Sequence, residues 1–270
     1  MPIATSNEQE SKIVVQELKD KISIEVPFET AIWKFFKKLI NAEKEALGVK
    51  KKQINFNLYN DELTEILMAQ YGRAQKKALG FFLKDPLVKG TLTEQEILMI
   101  KNSTVRQTNE YMKKRASVIS KEIMETTKQN LQQSYATVDK VIMDNGLKVT
   151  EQERLSMVMD KFSTRLENRK QTIAITETQN IFETVKNVEA VSTAERLTRQ
   201  GKNLQKRWNS KLDSHTRPAH AAAHGQRVPI TGLYTVAGES LDYPGDTSHG
   251  ASIGNTIRCR CSSMYVLIQS

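Results

Sequence analysis

Thr93-Glu94-Gln95-Glu96-Ile97-Leu98-Met99-Ile100 opens a run that continues to Asn145-Gly146 without an intervening glycine or proline. Thr93 and Glu96 have the spacing of a capping box, in which a hydroxyl and a carboxylate satisfy orphan amides reciprocally. Val105, Met112, Ile119, Ile123, Leu131, Val138 and Ile142 recur on one side of the run. The pattern predicts one long, mostly exposed helix. Thr150-Glu151-Gln152-Glu153 repeats the box and opens a helix through Leu155, Val158, Phe162 and Leu166, followed by a further helical pattern at Ile173, Ile181, Val185 and Val188. Upstream, Ile32, Phe35, Phe36, Leu39 and Ile40 recur at helical spacing. Asn60 caps a stripe of Leu63, Leu67, Tyr71, Ala74, Ala78 and Phe81 that Asp85-Pro86 ends. Residues 1–26 are polar with mixed charge and read as a flexible arm or a weakly anchored helix.

At Gly201 the texture changes. Seven of the twelve glycines lie from there onward, and lysine disappears after Lys211. Short alternating runs at Val228–Ile230, Tyr234–Val236 and Ile257–Ile268 predict strands joined by turns such as Tyr243-Pro244-Gly245-Asp246. The fold class expected is therefore α+β: a mainly helical N-terminal and middle body with long helices, then a small C-terminal module with short strands. The divisions expected are a variable helical region over 1–160 and a second domain over 161–270, made of a helix at 165–200 and an α+β module at 201–270.

At 270 residues the chain is long enough for one large domain or two ordinary ones. Two cysteines separated by one residue cannot staple a fold, so no oxidising compartment is called for. The N-terminus lacks the form of a signal peptide, and no apolar run approaches a membrane span of about 18 residues. A soluble chain made inside a cell is expected. Its +9 charge is unevenly placed: residues 101–212 hold 21 Lys+Arg against 13 Asp+Glu, while 1–100 hold 15 against 14. Such an excess suits a polyanion or an acidic partner, and equally a solvated helical surface. Lys113, Lys114, Arg115, Lys202, Lys206 and Arg207 are the candidate contacts to DNA or a partner protein.

Both cysteines and all four histidines lie between His215 and Cys261. Pro218 can begin a short helix and Gly225 end it, which sets His220 and His224 four apart on one face. If Cys259 and Cys261 sit on a strand, both sulfurs face one side and Arg258 and Arg260 the other. Two thiolates and two imidazoles would complete a structural zinc site of His220, His224, Cys259 and Cys261, with His215 or His249 able to replace either histidine. The opposing reading is two small half-buried cysteines beside a His-rich turn. Ala221 stands where a zinc protease carries its glutamate base, and no nucleophile elbow or phosphate loop exists. An enzyme is not expected.

The stretch Arg169-Lys-Gln-Thr-Ile-Ala174-Ile-Thr176-Glu177-Thr178-Gln-Asn180 resembles the Ala-x-Thr-Glu-Thr helix of phage minor head proteins of the Mu protein F type. Lys206-Arg207-Trp208, Asp213, Thr216-Arg217-Pro218, His220, Gly225, Pro244-Gly245-Asp246 and Cys259-Arg260-Cys261 follow the pattern of that family in order, over about residues 160–268. Two departures stand out: Arg258 replaces a frequent asparagine, and a cysteine pair common near Arg217 and His220 is missing. The resemblance implies a non-catalytic virion component of the head-morphogenesis type. It would act in procapsid assembly near the portal, and Glu177, Trp208, Asp213, Arg217 and Arg260 would be structural signature residues. The partners implied are portal protein, major capsid or scaffold protein, and packaged double-stranded DNA. The localisation implied is the capsid interior or portal vertex, after synthesis in the bacterial cytoplasm. Two rival expectations are a metal-dependent nucleic-acid-processing enzyme using the His/Cys cluster and a non-specific DNA-binding protein.

Overall fold

The computed structural model describes residues 7–50, 53–84 and 86–269. Helix α1 (Asn7–Glu45) runs through Pro27 and passes into a π turn (Ala46–Lys50). A 3-10 turn (Phe56–Tyr59) leads into α2 (Asn60–Ala78), and a second (Phe82–Lys84) into α3 (Pro86–Lys89). Helices α4 (Glu94–Asp144) and α5 (Glu151–Thr198) follow, 51 and 48 residues long. Then come β1 (Lys202–Asn209), α6 (Pro218–Ala222), β2 (Arg227–Pro229), β3 (Tyr234–Val236), β4 (Glu239–Leu241), α7 (Ile253–Thr256) and β5 (Ser262–Gln269). The chain is α+β and mainly helical. Among the described residues no helix is long and apolar enough to cross a membrane.

Both capping boxes form as spaced. Thr93 Oγ1 accepts from Glu96 N–H while Glu96 accepts from Thr93 N–H at 2.9 Å, and Thr150 and Glu153 do the same. Residues 7–26, expected as a flexible arm or a weakly anchored helix, are the first half of α1 and are firmly anchored. Its hold is electrostatic as well as apolar, since Glu17 and Lys21 are buried along with Ile24. Residues 1–6 and Asp85, the first part of the expected arm and half of the expected break, lie outside the described residues.

The chain forms two compact units, neither continuous in sequence. One holds Val26–Ala69 and Lys113–Ala174. It is all helix and irregular turn, and its buried side chains are mostly apolar, among them Phe28, Ile32, Phe36, Leu39, Leu67, Leu131, Phe162 and Leu166. The other holds Met1–Glu25, Gln70–Met112 and Ile175–Ser270. The expected cut at 160/161 falls inside α5, which is unbroken.

The second unit carries all the strands. β2-β1-β5 is an antiparallel sheet in which Trp208 opposes Ser263 and Lys206 opposes Tyr265. β1 was not expected; its alternation of buried Leu204, Lys206 and Trp208 is disguised by the lysine. β3 and β4 form a separate hairpin. Its turn, Ala237-Gly238, has φ of 51° and 78°. Two consecutive positive values are what a tight hairpin of the primed type demands. Two apolar clusters fill this unit: Phe82, Leu83, Val88, Ile100, Ala190 and Leu197 in one, and Trp208, Tyr234, Val236, Leu241, Cys259 and Cys261 in the other.

Candidate metal centre and its frame

Residues 177–187 of α5 are buried without a break, although eight of the eleven are polar or charged. A helix buried on all sides must find an internal partner for each polar group. Glu177 accepts from the Tyr71 hydroxyl. Gln179 donates to Pro244 O (3.2 Å) and Cys261 O (2.7 Å), and Asn180 donates to Gly245 O (2.8 Å) while accepting from Tyr111. The turn at Gly245 has φ of 89°, and a Cβ there would stand 3.2 Å from Gln179 Cγ. Only glycine allows both the left-handed backbone and so close an approach to α5.

Two further residues complete this frame. Glu183 accepts from Lys21 (2.9 Å), Lys186 (3.1 Å) and Ser263 N–H (3.0 Å), and Glu17 accepts from the same two lysines. Two carboxylates and two ammoniums are thus interleaved in the interior. Burial opposes both ionised acids. At Glu17 the nearby Lys186 and Lys21 outweigh it and hold the carboxyl low, whereas at Glu183 burial prevails and raises it. Glu189, one turn on, accepts from Gly80 N–H (2.6 Å) and Phe82 N–H (3.3 Å). Burial pushes it up to about 7, against the pull of those amides.

The cysteines enter from the loop before β5. Cys259-Arg260-Cys261 is not strand, contrary to expectation, because β5 begins at Ser262 and Arg258 adopts φ of 50°. Arg258 N–H donates to Thr176 Oγ1, whereas Arg260 pairs with Asp213 at 2.8 Å, so the arginines have separate partners. The sulfurs nevertheless converge. His220 Nδ1 lies 3.3 Å from Cys261 Sγ and 3.8 Å from Cys259 Sγ, and all three residues are buried. These donor atoms all lie within 4.8 Å of one another and could hold a metal ion.

The donor set and spacing fit zinc. A tetrahedral ion with Zn–N of about 2.1 Å and Zn–S of about 2.3 Å sets its N and S donors about 3.6 Å apart. The hydrogen bond from Cys259, with smaller help from His220 and Ser210, draws the Cys261 thiol down to about 5 and pushes Cys259 well up. Trp208 stacks edge-on to His220, with centroids 5.6 Å apart, and donates from Nε1 to Ser210 Oγ. Ser210 Oγ in turn donates to His220 O. This hydroxyl, which links Trp208 to the histidine, carries no signal in sequence.

His224 does not join the cluster. Helix α6 ends at Ala222, so the four-residue helical spacing from His220 lapses before it reaches His224. The exposed His224 ring instead accepts Ser210 N–H at Nδ1, 3.1 Å away. His249 is exposed and lies outside the cluster. Asp213 accepts from Arg260, His215 N–H and Thr216. Partial desolvation raises it, but these donors outweigh that and hold its carboxyl well below the usual range. The Arg217 guanidinium donates to Ile257 O.

Of the candidate binding cations, Lys113 and Lys114 are exposed and Arg115, Lys202 and Arg207 half-buried. Lys206 cannot serve as a surface contact. It lies on the inward face of β1, fully buried, and its Nζ donates to the carboxylate and carbonyl of Asp242. No family model, curated protein or solved structure matches this chain.

Proposed function

We propose that this chain is a structural minor head protein of a tailed bacteriophage, acting in procapsid assembly near the portal. The observation that carries this reading is the interlocking of the residues on which the resemblance rests. Gln179 and Asn180, beside Glu177, clamp both the Pro244-Gly245 turn and Cys261, while Arg260 of the Cys-Arg-Cys loop holds Asp213. A set spread over some 85 residues thus serves one frame, which is how fold-maintaining residues behave. In this reading the chain is not an enzyme, and His220, Cys259 and Cys261 form a structural zinc site that pins the loop before β5 to α6.

The α+β module over 201–270 would dock on portal, capsid or scaffold protein. The exposed Lys113 and Lys114 would add weak, salt-sensitive contact with packaged DNA. The test is mass spectrometry of purified procapsids and virions from the phage or prophage that encodes the chain. The expected result is the chain at low copy, in fixed ratio to portal protein; particles assembled normally without it would sink the proposal.

A further inference from the structure

Three donors leave a tetrahedral ion one short. The fourth must come from what borders the cluster, and His224 is turned away to Ser210. His215 stands differently. It too is exposed and lies outside the cluster as it stands, but unlike His249 it lines, with His220 and Cys261, one cavity of about 20 Å³. That is room for a single water-sized body.

The turn that carries His215 is tied to the loop that carries the thiols. His215 N–H donates to Asp213 Oδ1 at 3.0 Å, and the same oxygen accepts from Arg260, the residue between the two cysteines. The His215 ring has Nδ1 3.2 Å from Ser214 Oγ, which leaves Nε2 as its donor atom. A hydrogen bond at the second ring nitrogen is the usual way a protein orients a ligating histidine. Lys211, Arg217, Arg258 and Arg260 border the same cavity; Asp213 pairs with Lys211 and Arg260, and Arg217 donates to Ile257 O.

We propose that the chain binds one Zn²⁺ through Cys259, Cys261, His220 Nδ1 and His215 Nε2, with His215 closing the site by a side-chain rotation. This rests on the structural-zinc reading above. The two thiolates balance the ion's charge and both imidazoles stay neutral. Loading therefore releases the protons the thiols still carry, and the metal joins three segments: the turn before α6, α6 itself and the loop before β5.

The experiment uses the full chain, purified without chelators. Zinc per chain is measured by elemental analysis, and affinity by competition with a chromophoric chelator. X-ray absorption at the zinc edge counts sulfur and imidazole ligands. The expected result is one zinc with two sulfur and two imidazole ligands. Losing a ligand should weaken binding at least as much as losing a group that hydrogen-bonds a ligand, so His215→Ala should cost roughly tenfold or more. His224→Ala should leave affinity and spectrum unchanged. Zinc held equally well by His215→Ala, with one imidazole counted in wild type, overturns the proposal and leaves the structural-zinc reading intact. A folded wild-type chain that takes up no zinc overturns both. Neither result bears on whether the chain is found in particles.

Discussion

Helix α5 contains the same local pattern twice. Glu167 and Lys170 are three apart with an N–O distance of 3.3 Å; Glu183 and Lys186 are three apart at 3.1 Å. The Glu167 side chain is 55% exposed and the Glu183 side chain 0%. The first pair is an ordinary surface contact of the kind that contributes little. The second is part of an interior network of four charges, and its members also hold β5 and the start of α1 through Ser263 N–H, Glu17 and Lys21. Identical spacing on one helix therefore says nothing about burial. What differs is the set of partners, more than a hundred residues away in sequence for Lys21 and Glu17.

The contrast is broken or upheld most sharply by Glu183→Ala against Glu167→Ala. Removing one member of a buried ionic network costs about 3–5 kcal/mol, because the remaining charges stay in the interior unmatched. Two lysines would there face Glu17 alone. An exposed i,i+3 partner should change stability by no more than about 0.5 kcal/mol. Urea denaturation of both variants is the measurement. Equal costs would mean that the interior network contributes no more than the surface pair.

Next in size is a pH effect that belongs to residues 177–190 alone. Glu189 has its folded pKa raised to about 7 from 4.5. The folded state then holds the proton more firmly than the unfolded one, so this contribution is complete below pH 4.5 and is lost as pH rises toward 7. The full span is about 3 kcal/mol as an order of magnitude. Glu189→Gln, which keeps an acceptor for Gly80 N–H but cannot ionise, should remove it. Stability of wild type relative to Glu189→Gln should fall between pH 5 and pH 8; a constant difference would show that the carboxyl stays ionised throughout.

Gln179→Ala comes third. It leaves the carbonyls of Pro244 and Cys261 without their buried donor, at a cost of about 1–3 kcal/mol. It should also loosen the cysteine loop, seen as faster alkylation of Cys261 than in wild type. Unchanged alkylation would show that the loop holds its place without α5.

These cases mark where sequence could speak. The long helices and their two capping boxes were legible because their causes are local: a hydroxyl, a carboxylate three residues on, and a stripe of apolar side chains. The cap expected of Asn60 does not form, since Asn60 is itself helical and its Oδ1 accepts no hydrogen bond. The His/Cys cluster was legible as residue types, but its membership was not. His224 dropped out because α6 ends two residues short of it, and the cysteines sit in a loop because Arg258 takes a left-handed backbone. Lys206 looked like a surface cation because strand alternation shows only once the Asp242 that receives it is known. The burial of Glu183, Lys186 and Gln179 was hidden for the same reason. Their partners lie on other elements, and a period of 3.6 carries no record of them.

The smallest effect sharpens the contrast from its local side. Thr150 caps the exposed start of α5: its hydroxyl accepts Glu153 N–H while Glu153 accepts Thr150 N–H at 2.7 Å. Those hydrogen bonds, the one from Thr150 N–H foremost, hold the Glu153 carboxyl below its ordinary value, so this small contribution is present above that value and fades as pH falls. Thr150→Ala removes one half of the box, and water can reach the freed amide. The cost should be about 1 kcal/mol. Because the box is complete within four residues, the substitution should leave Cys261 alkylation and the Glu189 pH slope as they are in wild type. Hydrogen exchange should quicken in the first turn of α5 and stay slow over 177–187. Exchange that quickened along the whole helix would mean that α5 frays as one unit from its cap, and that the internal partners of its second half do not hold that half independently.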